Sequence, residues 1–354
     1  MRQPTRRGSL VAATAIMLAA CSGGHSGTLE TPATVSTTTS SSASTAVVVS
    51  TVASATTTSA TTTTLSSFAT DRAPNGRAAP RVADTAAGLA AQLIATERGL
   101  RDLTTPSAQL DDLGHLNQLV YRTLSTKPAW DAIVLAVLPD TLRPIASAHI
   151  NARREFLAMR ATAGDTVPDW EIIAPKPIDT LVSYYKEAET ATGIGWQYLA
   201  AINLVETGLG RVNGLSVSGA TGPMQFLPTT WAETGIGKGD IRDAHDAIQA
   251  AARYLVRRGG PNDMAKALLG YNNHANYVRA VTAYADLFKA DEQSFRAAYH
   301  WEVYFLSELG DVWLPVGYHQ TARIPVRDYL KTAPWSAPPP GAFVPAGPGS
   351  IVVR

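Results

Sequence analysis

The chain has 354 residues, enough for one or two globular domains, and only 17% of them are charged, which is low for a cytosolic protein. Formal net charge is +1 and no run of Lys or Arg interleaves with aromatic residues, so nucleic acid is excluded as an expected partner. The single cysteine, Cys21, rules out an intrachain disulfide and a thiolate metal cluster.

Residues 1–21 read as an export signal. Arg2, Arg6 and Arg7 make a basic start, Leu10 to Ala20 is apolar but too short to span a bilayer, and small residues lead into Cys21. The ending Leu18-Ala19-Ala20-Cys21 resembles a bacterial lipobox, which implies a lipoprotein acylated on Cys21. The expected location is the cell envelope, anchored by lipid to the outer face of the cytoplasmic membrane, with the acyl chains supplying the affinity. Residues 22–81 are mostly Thr, Ser and Ala, including Thr37-Thr38-Thr39 and Thr61 to Thr64. Without large side chains to offset the entropy of ordering, this segment is expected to be a disordered linker.

Residues 82–165 carry apolar side chains at helical spacing, as in Leu89, Leu93 and Ile94 and again in Leu116, Leu119 and Val120. Pro106, Pro128 and Pro144 divide this region into three or four helices, and the charged residues of the stretch from Ile145 to Met159 read as a solvated face. No chemistry is evident there. Val167 to Pro177 is extended and Pro-rich, a boundary. Within residues 170–290, helices are expected over 178–190, 195–207, 244–258, 264–269 and 276–288, with a Gly-rich loop over 208–239, so the fold class is all-α. The aromatic-rich extension 291–335, with Tyr299-His300-Trp301, Tyr304-Phe305 and Trp313, predicts one more docked helix, and the Pro/Gly-rich residues 336–354 predict a tail.

The chemistry concentrates near Glu206, which ends the apolar run Ala200-Ala201-Ile202-Asn203-Leu204-Val205, just before the helix breaker Gly208. A helix C-terminus carries partial negative charge, and Leu204, Val205 and Leu209 limit solvation. Both effects disfavour the ionised carboxylate and raise its pKa, as a general acid working near neutral pH requires. On Glu206 alone, a solvated glutamate at a helix end would be the simpler reading. Three ordered motifs change that balance: Glu206-Thr207, then Gly222-Pro223-Met224-Gln225-Phe226-Leu227-Pro228, then Tyr271-Asn272.

Together these motifs resemble the lytic transglycosylase and goose-type lysozyme superfamily over about residues 178–288. The resemblance implies a lysozyme-like helical domain within 170–290 and a lytic transglycosylase that cleaves the MurNAc-β-1,4-GlcNAc bond of peptidoglycan, leaving 1,6-anhydro-MurNAc ends. It implies Glu206 as the single acid and base and a supporting hydrogen bond from the Thr207 hydroxyl. Met224, Gln225 and Phe226 would line the sugar groove, Ser218 would join the substrate-binding set, and Tyr271 and Asn272 would close the site. Peptidoglycan strands are then the partner, with no cofactor and no metal. Val205-Glu206-Thr207, Gly210-Arg211 and Asp246-Ala247-Ile248 are similar to the membrane-bound type B branch, whereas the loop from Arg211 to Ser218 is shorter than in that branch.

Glycosidases that work with two carboxylates need a second acid. Glu233, Asp240, Asp243 and Asp246 are the candidates, but they read as a solvated turn and a helix start. Gly208-Leu209-Gly210 follows a helix instead of a strand and is wrongly spaced for a dinucleotide fingerprint, and Gly214 to Ser218 lacks the second glycine of a nucleophile elbow. The seven histidines show no ligand spacing, and Arg253, Arg257 and Arg258 read as a solvated face. The alternatives to the lyase are a hydrolytic muramidase and a non-catalytic peptidoglycan-binding or scaffold lipoprotein.

Overall fold

The computed structural model describes residues 72–159 and 163–338. Cys21, the export signal, the linker as far as residue 71 and the tail from residue 339 lie outside the described residues. Among those described, four helices come first: α1 (Ala86–Arg101), α2 (Ser107–Ser125), α3 (Asp131–Val137) and α4 (Arg143–Ala158). Thr85 starts α1 by accepting from the Gly88 N–H at 3.1 Å. Pro106 precedes α2, Pro128 opens the single 3-10 turn before α3, and Pro144 sits in the first turn of α4.

Eight more helices follow: α5 (Ile178–Thr192), α6 (Trp196–Thr207), α7 (Pro228–Trp231), α8 (Ala244–Arg257), α9 (Met264–Tyr271), α10 (Ala275–Ala290), α11 (Glu292–Tyr299) and α12 (Val326–Thr332). One apolar core joins both sets, with Leu93, Val120, Ile150 and Phe156 in the same cluster as Leu199, Val205, Val281 and Phe288. The most extensive helix pairing is α10 on α4, and α10 also packs on α6. Phe156 stacks on Tyr284 at 6.4 Å between centroids. No helix among the described residues is long and apolar enough to cross a membrane.

Three small antiparallel sheets accompany the helices: β1 (Thr166–Val167) with β6 (Ile324–Pro325), β2 (Glu171–Ile172) with β3 (Val212–Asn213), and β4 (Val303–Ser307) with β5 (Gly310–Leu314). The last pair corrects an expectation. The helix α11 stops at Tyr299, and the aromatic stretch after it is a hairpin in which Tyr304 faces Trp313 and Phe305 faces Val312. Val303, Tyr304, Phe305, Val312 and Trp313 are strand formers, and Gly310, at φ 108°, turns the chain between them.

Two further expectations are revised. Residues 72–81, within the expected linker, are seated on the body: Ala73 is buried with Leu119, Tyr304 and Trp313, and Arg77 pairs with Glu302 and with Asp112. The charged face of α4 is also largely enclosed. Arg153 is buried beside Asp311 of the hairpin, and Arg154 grips Asp131 through both nitrogens at 2.6 and 2.8 Å. The hairpin and α3 cover residues that the linear pattern left to solvent. Arg253 and Arg258 are likewise engaged, the first donating to the Ile236 carbonyl and the second lying over the Tyr254 ring.

A shared core predicts shared stability. Phe156→Ala, a deletion in α4, should cost about 3–5 kcal/mol. Chemical denaturation followed by tryptophan fluorescence should show the loss in one transition that includes the later helices.

Candidate active site

Glu206 lies in the last turn of α6, a helix with apolar residues on nearly every side and therefore one that must be buried. The helix stops because Gly208 takes a left-handed conformation at φ 60°, with its N–H bonded to the Leu204 carbonyl at 3.0 Å. Leu209 follows at φ 66°, uncommon for a residue with a branched side chain, and its N–H reaches the Asn203 carbonyl. Glu206 is thereby held inside the protein with no exposed surface.

Burial pushes the Glu206 carboxyl up to about 8, partly offset by a hydrogen bond that the Tyr277 hydroxyl donates to Oε1 at 2.8 Å. Oε2 has no partner. Among the described residues, no second carboxylate contributes to the shift. Tyr277 and Tyr271 are themselves held well above the usual tyrosine range, first by burial and then by the proximity of Glu206. At neutral pH the group is therefore a protonated acid with one oxygen engaged and one free.

The loop that follows is tied to the same helix. Thr207 Oγ1 donates to the Pro223 carbonyl at 2.6 Å and accepts from the Gly210 N–H at 2.9 Å. Asn203 Nδ2 donates to the same carbonyl at 2.8 Å, while Asn203 Oδ1 accepts from the Tyr185 hydroxyl at 2.7 Å. The hydroxyl expected to support Glu206 thus supports the loop instead. Thr221 and Phe226 exchange backbone hydrogen bonds at 2.9 and 3.0 Å, closing a tight turn in which Gln225 sits at φ 49°. Gly222 is required there, since a Cβ would lie 1.9 Å from the Ile241 carbonyl oxygen.

The turn rests on α9, where the Tyr271 hydroxyl donates to the Met224 carbonyl at 2.6 Å and Phe226 packs edge-on against Tyr254 and Tyr271. The structure therefore brings Thr207, Met224, Gln225, Phe226 and Tyr271 together beside the end of α6, while Asn272 ends α9, and every one of them is buried. Met224, Gln225 and Phe226, expected to line a sugar groove, expose little of their surface. Gln225 Oε1 is buried without a partner. Ser218 is exposed in the turn from Ser216 to Ala220, where Ser216 is the residue that turns its hydroxyl inward, onto the Ala220 N–H.

Two contributors escaped the sequence reading. Tyr277 belongs to a helical stripe with Val281, Tyr284 and Phe288, so its spacing marks it as core and gives no hint that its hydroxyl meets Glu206. Asn203 did carry a signal, a polar residue inside an apolar run three positions before Glu206. His274 caps α10, its Nδ1 accepting from the Asn276 N–H at 3.2 Å. The described residues that could gather round a cation are Asp243, His245 and Asp246 at the start of α8. There Asp243 accepts from the Asp246 N–H, Asp246 from the Asp240 N–H, and His245 pairs with Glu187.

The fold and the site define a lysozyme-like helical domain built round one buried acid. Residues 183–294 match the family model described as the transglycosylase SLT domain, which supports a lytic transglycosylase-type domain over that segment. The match begins within α5 and ends within α11, taking in Glu206, the 222–228 turn, Tyr271-Asn272 and Tyr277, and leaving out α1 to α4. No curated protein and no solved structure matches the chain.

A carboxyl whose pKa is raised on folding favours the folded state fully below its unfolded value, and that contribution is lost as pH rises through the folded value. For Glu206 the window runs from about 4.5 to about 8. Glu206→Gln, which is always neutral, should gain stability relative to the parent across that window and show no further gain above it. Urea denaturation of both proteins at a series of pH values measures the gap; a constant gap would mean that Glu206 is not held protonated.

Proposed function

We propose that this protein is a peptidoglycan lytic transglycosylase of the cell envelope, with Glu206 as its single acid and base. The observation that carries the reading is a buried carboxyl with one oxygen free of partners and, among the described residues, no second carboxylate acting on it, inside a segment that matches the transglycosylase SLT domain. Hydrolysis with two carboxylates would need a partner acid, whereas a lyase does not.

In this reaction the proton on Oε2 passes to the glycosidic oxygen, and the bond between that oxygen and the muramic C1 breaks. The substrate's own N-acetyl group stabilises the developing positive centre. The Glu206 carboxylate so formed is stabilised by the Tyr277 hydroxyl, then takes the proton of the muramic 6-hydroxyl as its oxygen bonds to C1. The product is a 1,6-anhydro end and the acid is regenerated. Glu206 is buried, and a site that excludes water favours the internal hydroxyl as nucleophile. Acylation at Cys21 would place the domain at the membrane, within reach of the wall.

The test is mass spectrometry of fragments released from purified peptidoglycan by the detergent-solubilised protein and by its Glu206→Gln form. Anhydro-muropeptides are expected from the parent, with a loss of about 10²–10⁴-fold in the variant, the range for removal of a general acid. Reducing-end fragments would assign a muramidase, and binding without fragments a scaffold.

A further inference from the structure

The helix α4 lies outside the segment that matches the transglycosylase domain, yet it holds the helix that delivers Tyr277. Glu155 Oε2 accepts from Asn276 Nδ2 at 2.7 Å and from the Arg279 guanidinium at 2.9 Å. Asn276 immediately precedes Tyr277, and its own N–H is capped by His274. The first turn of a helix has N–H groups without intrahelical acceptors and is where a helix frays most easily. The remaining contact between α4 and α10 is mostly apolar, through Ile150, Phe156, Val281 and Tyr284. Apolar packing brings helices together but is non-directional, whereas a hydrogen bond fixes a direction.

We propose that Glu155 is a positioning residue: by gripping Asn276 it holds the first turn of α10 and so seats the Tyr277 hydroxyl on Glu206. The proposal rests on the reading of Glu206 as the acid, and it gives the helices before the matched segment a part in the chemistry. A small rotation or fraying at the start of α10 is enough to withdraw the phenol, because Tyr277 presents it from the tip of a long side chain. Among the described residues the titratable groups facing Glu206 are Tyr277 from α10 and Tyr271 from α9, so loss of the Tyr277 bond is felt directly by the carboxyl.

The test is a ¹³C NMR titration of the Glu206 carboxyl in the full chain, assigned by its disappearance in Glu206→Gln. Tyr277 stabilises the carboxylate, so Tyr277→Phe should raise the midpoint, and Glu155→Ala should raise it in the same direction by roughly half a pH unit. The double variant should move no further than Tyr277→Phe alone, and Glu155→Gln, which can still accept from Asn276, should stay with the parent. Glu155 is part of a partly exposed ion pair, so its loss leaves the fold intact. Asn276→Ala, which removes the other end of the bond, should reproduce the shift independently. An unchanged midpoint in Glu155→Ala and Asn276→Ala, or a double variant that shifts by the sum, overturns the proposal. Assayed alongside, a parent that releases no wall fragments while the midpoints move defeats the functional reading and leaves the positioning role standing.

Discussion

Placing one carboxyl group in a dry interior, with a single hydroxyl to bond it, is the constraint around which this protein is arranged. A carboxylate there would lack the solvation it needs, so Glu206 keeps its proton to about pH 8. The end of an apolar helix is suited to this, because the helix buries the side chain while its C-terminal partial charge discourages ionisation. Tyr277 acts in the opposite sense, and the balance leaves an acid able to give up its proton and then survive as a base.

The loop beside that acid is held by polar groups that find partners. Asn203, Thr207 and Tyr185 form a buried network ending on the Pro223 carbonyl, which locks the Gly-rich turn against the helix that carries Glu206. Buried networks of this kind rigidify only when their members are satisfied. Glu206 Oε2 and Gln225 Oε1 are buried beside this network without such partners. Gln225 also sits in a left-handed conformation that side chains seldom adopt, a strain that the exchange between Thr221 and Phe226 sustains.

The helices before residue 160 are not an appendage to this arrangement. They share the apolar core with the later helices, and α4 forms the broadest contact with α10. His149 lies among the rings of Tyr121, Tyr284 and Trp301, and burial drives its pKa down to about 4, so it stays neutral and behaves as an aromatic packing piece. The hairpin after α11 adds Asp311, which meets Arg122 and Arg153 and encloses charges that the pattern along α4 assigned to solvent.

The helical class, the proline-set divisions between helices and the place of Glu206 at the end of an apolar helix were legible in the sequence because each depends on neighbours a few positions apart: apolar spacing, a breaker after a helix, glycines in a turn. Thr207, Met224, Gln225, Phe226, Tyr271 and Asn272 were legible as a group through the order of their motifs. The depth of their burial was not, since the order of motifs does not say how much of each side chain the fold covers. The strands at residues 303–314 were misread as helix because aromatic density alone does not distinguish the two, and cross-strand pairing decides it. Tyr277 on Glu206, and Glu155 on Asn276, join residues 71 and 121 positions apart. Only the packing of α10 against both α4 and α6 brings them together, because the helical stripe that buries Tyr277 says that it faces inward but not what it meets there.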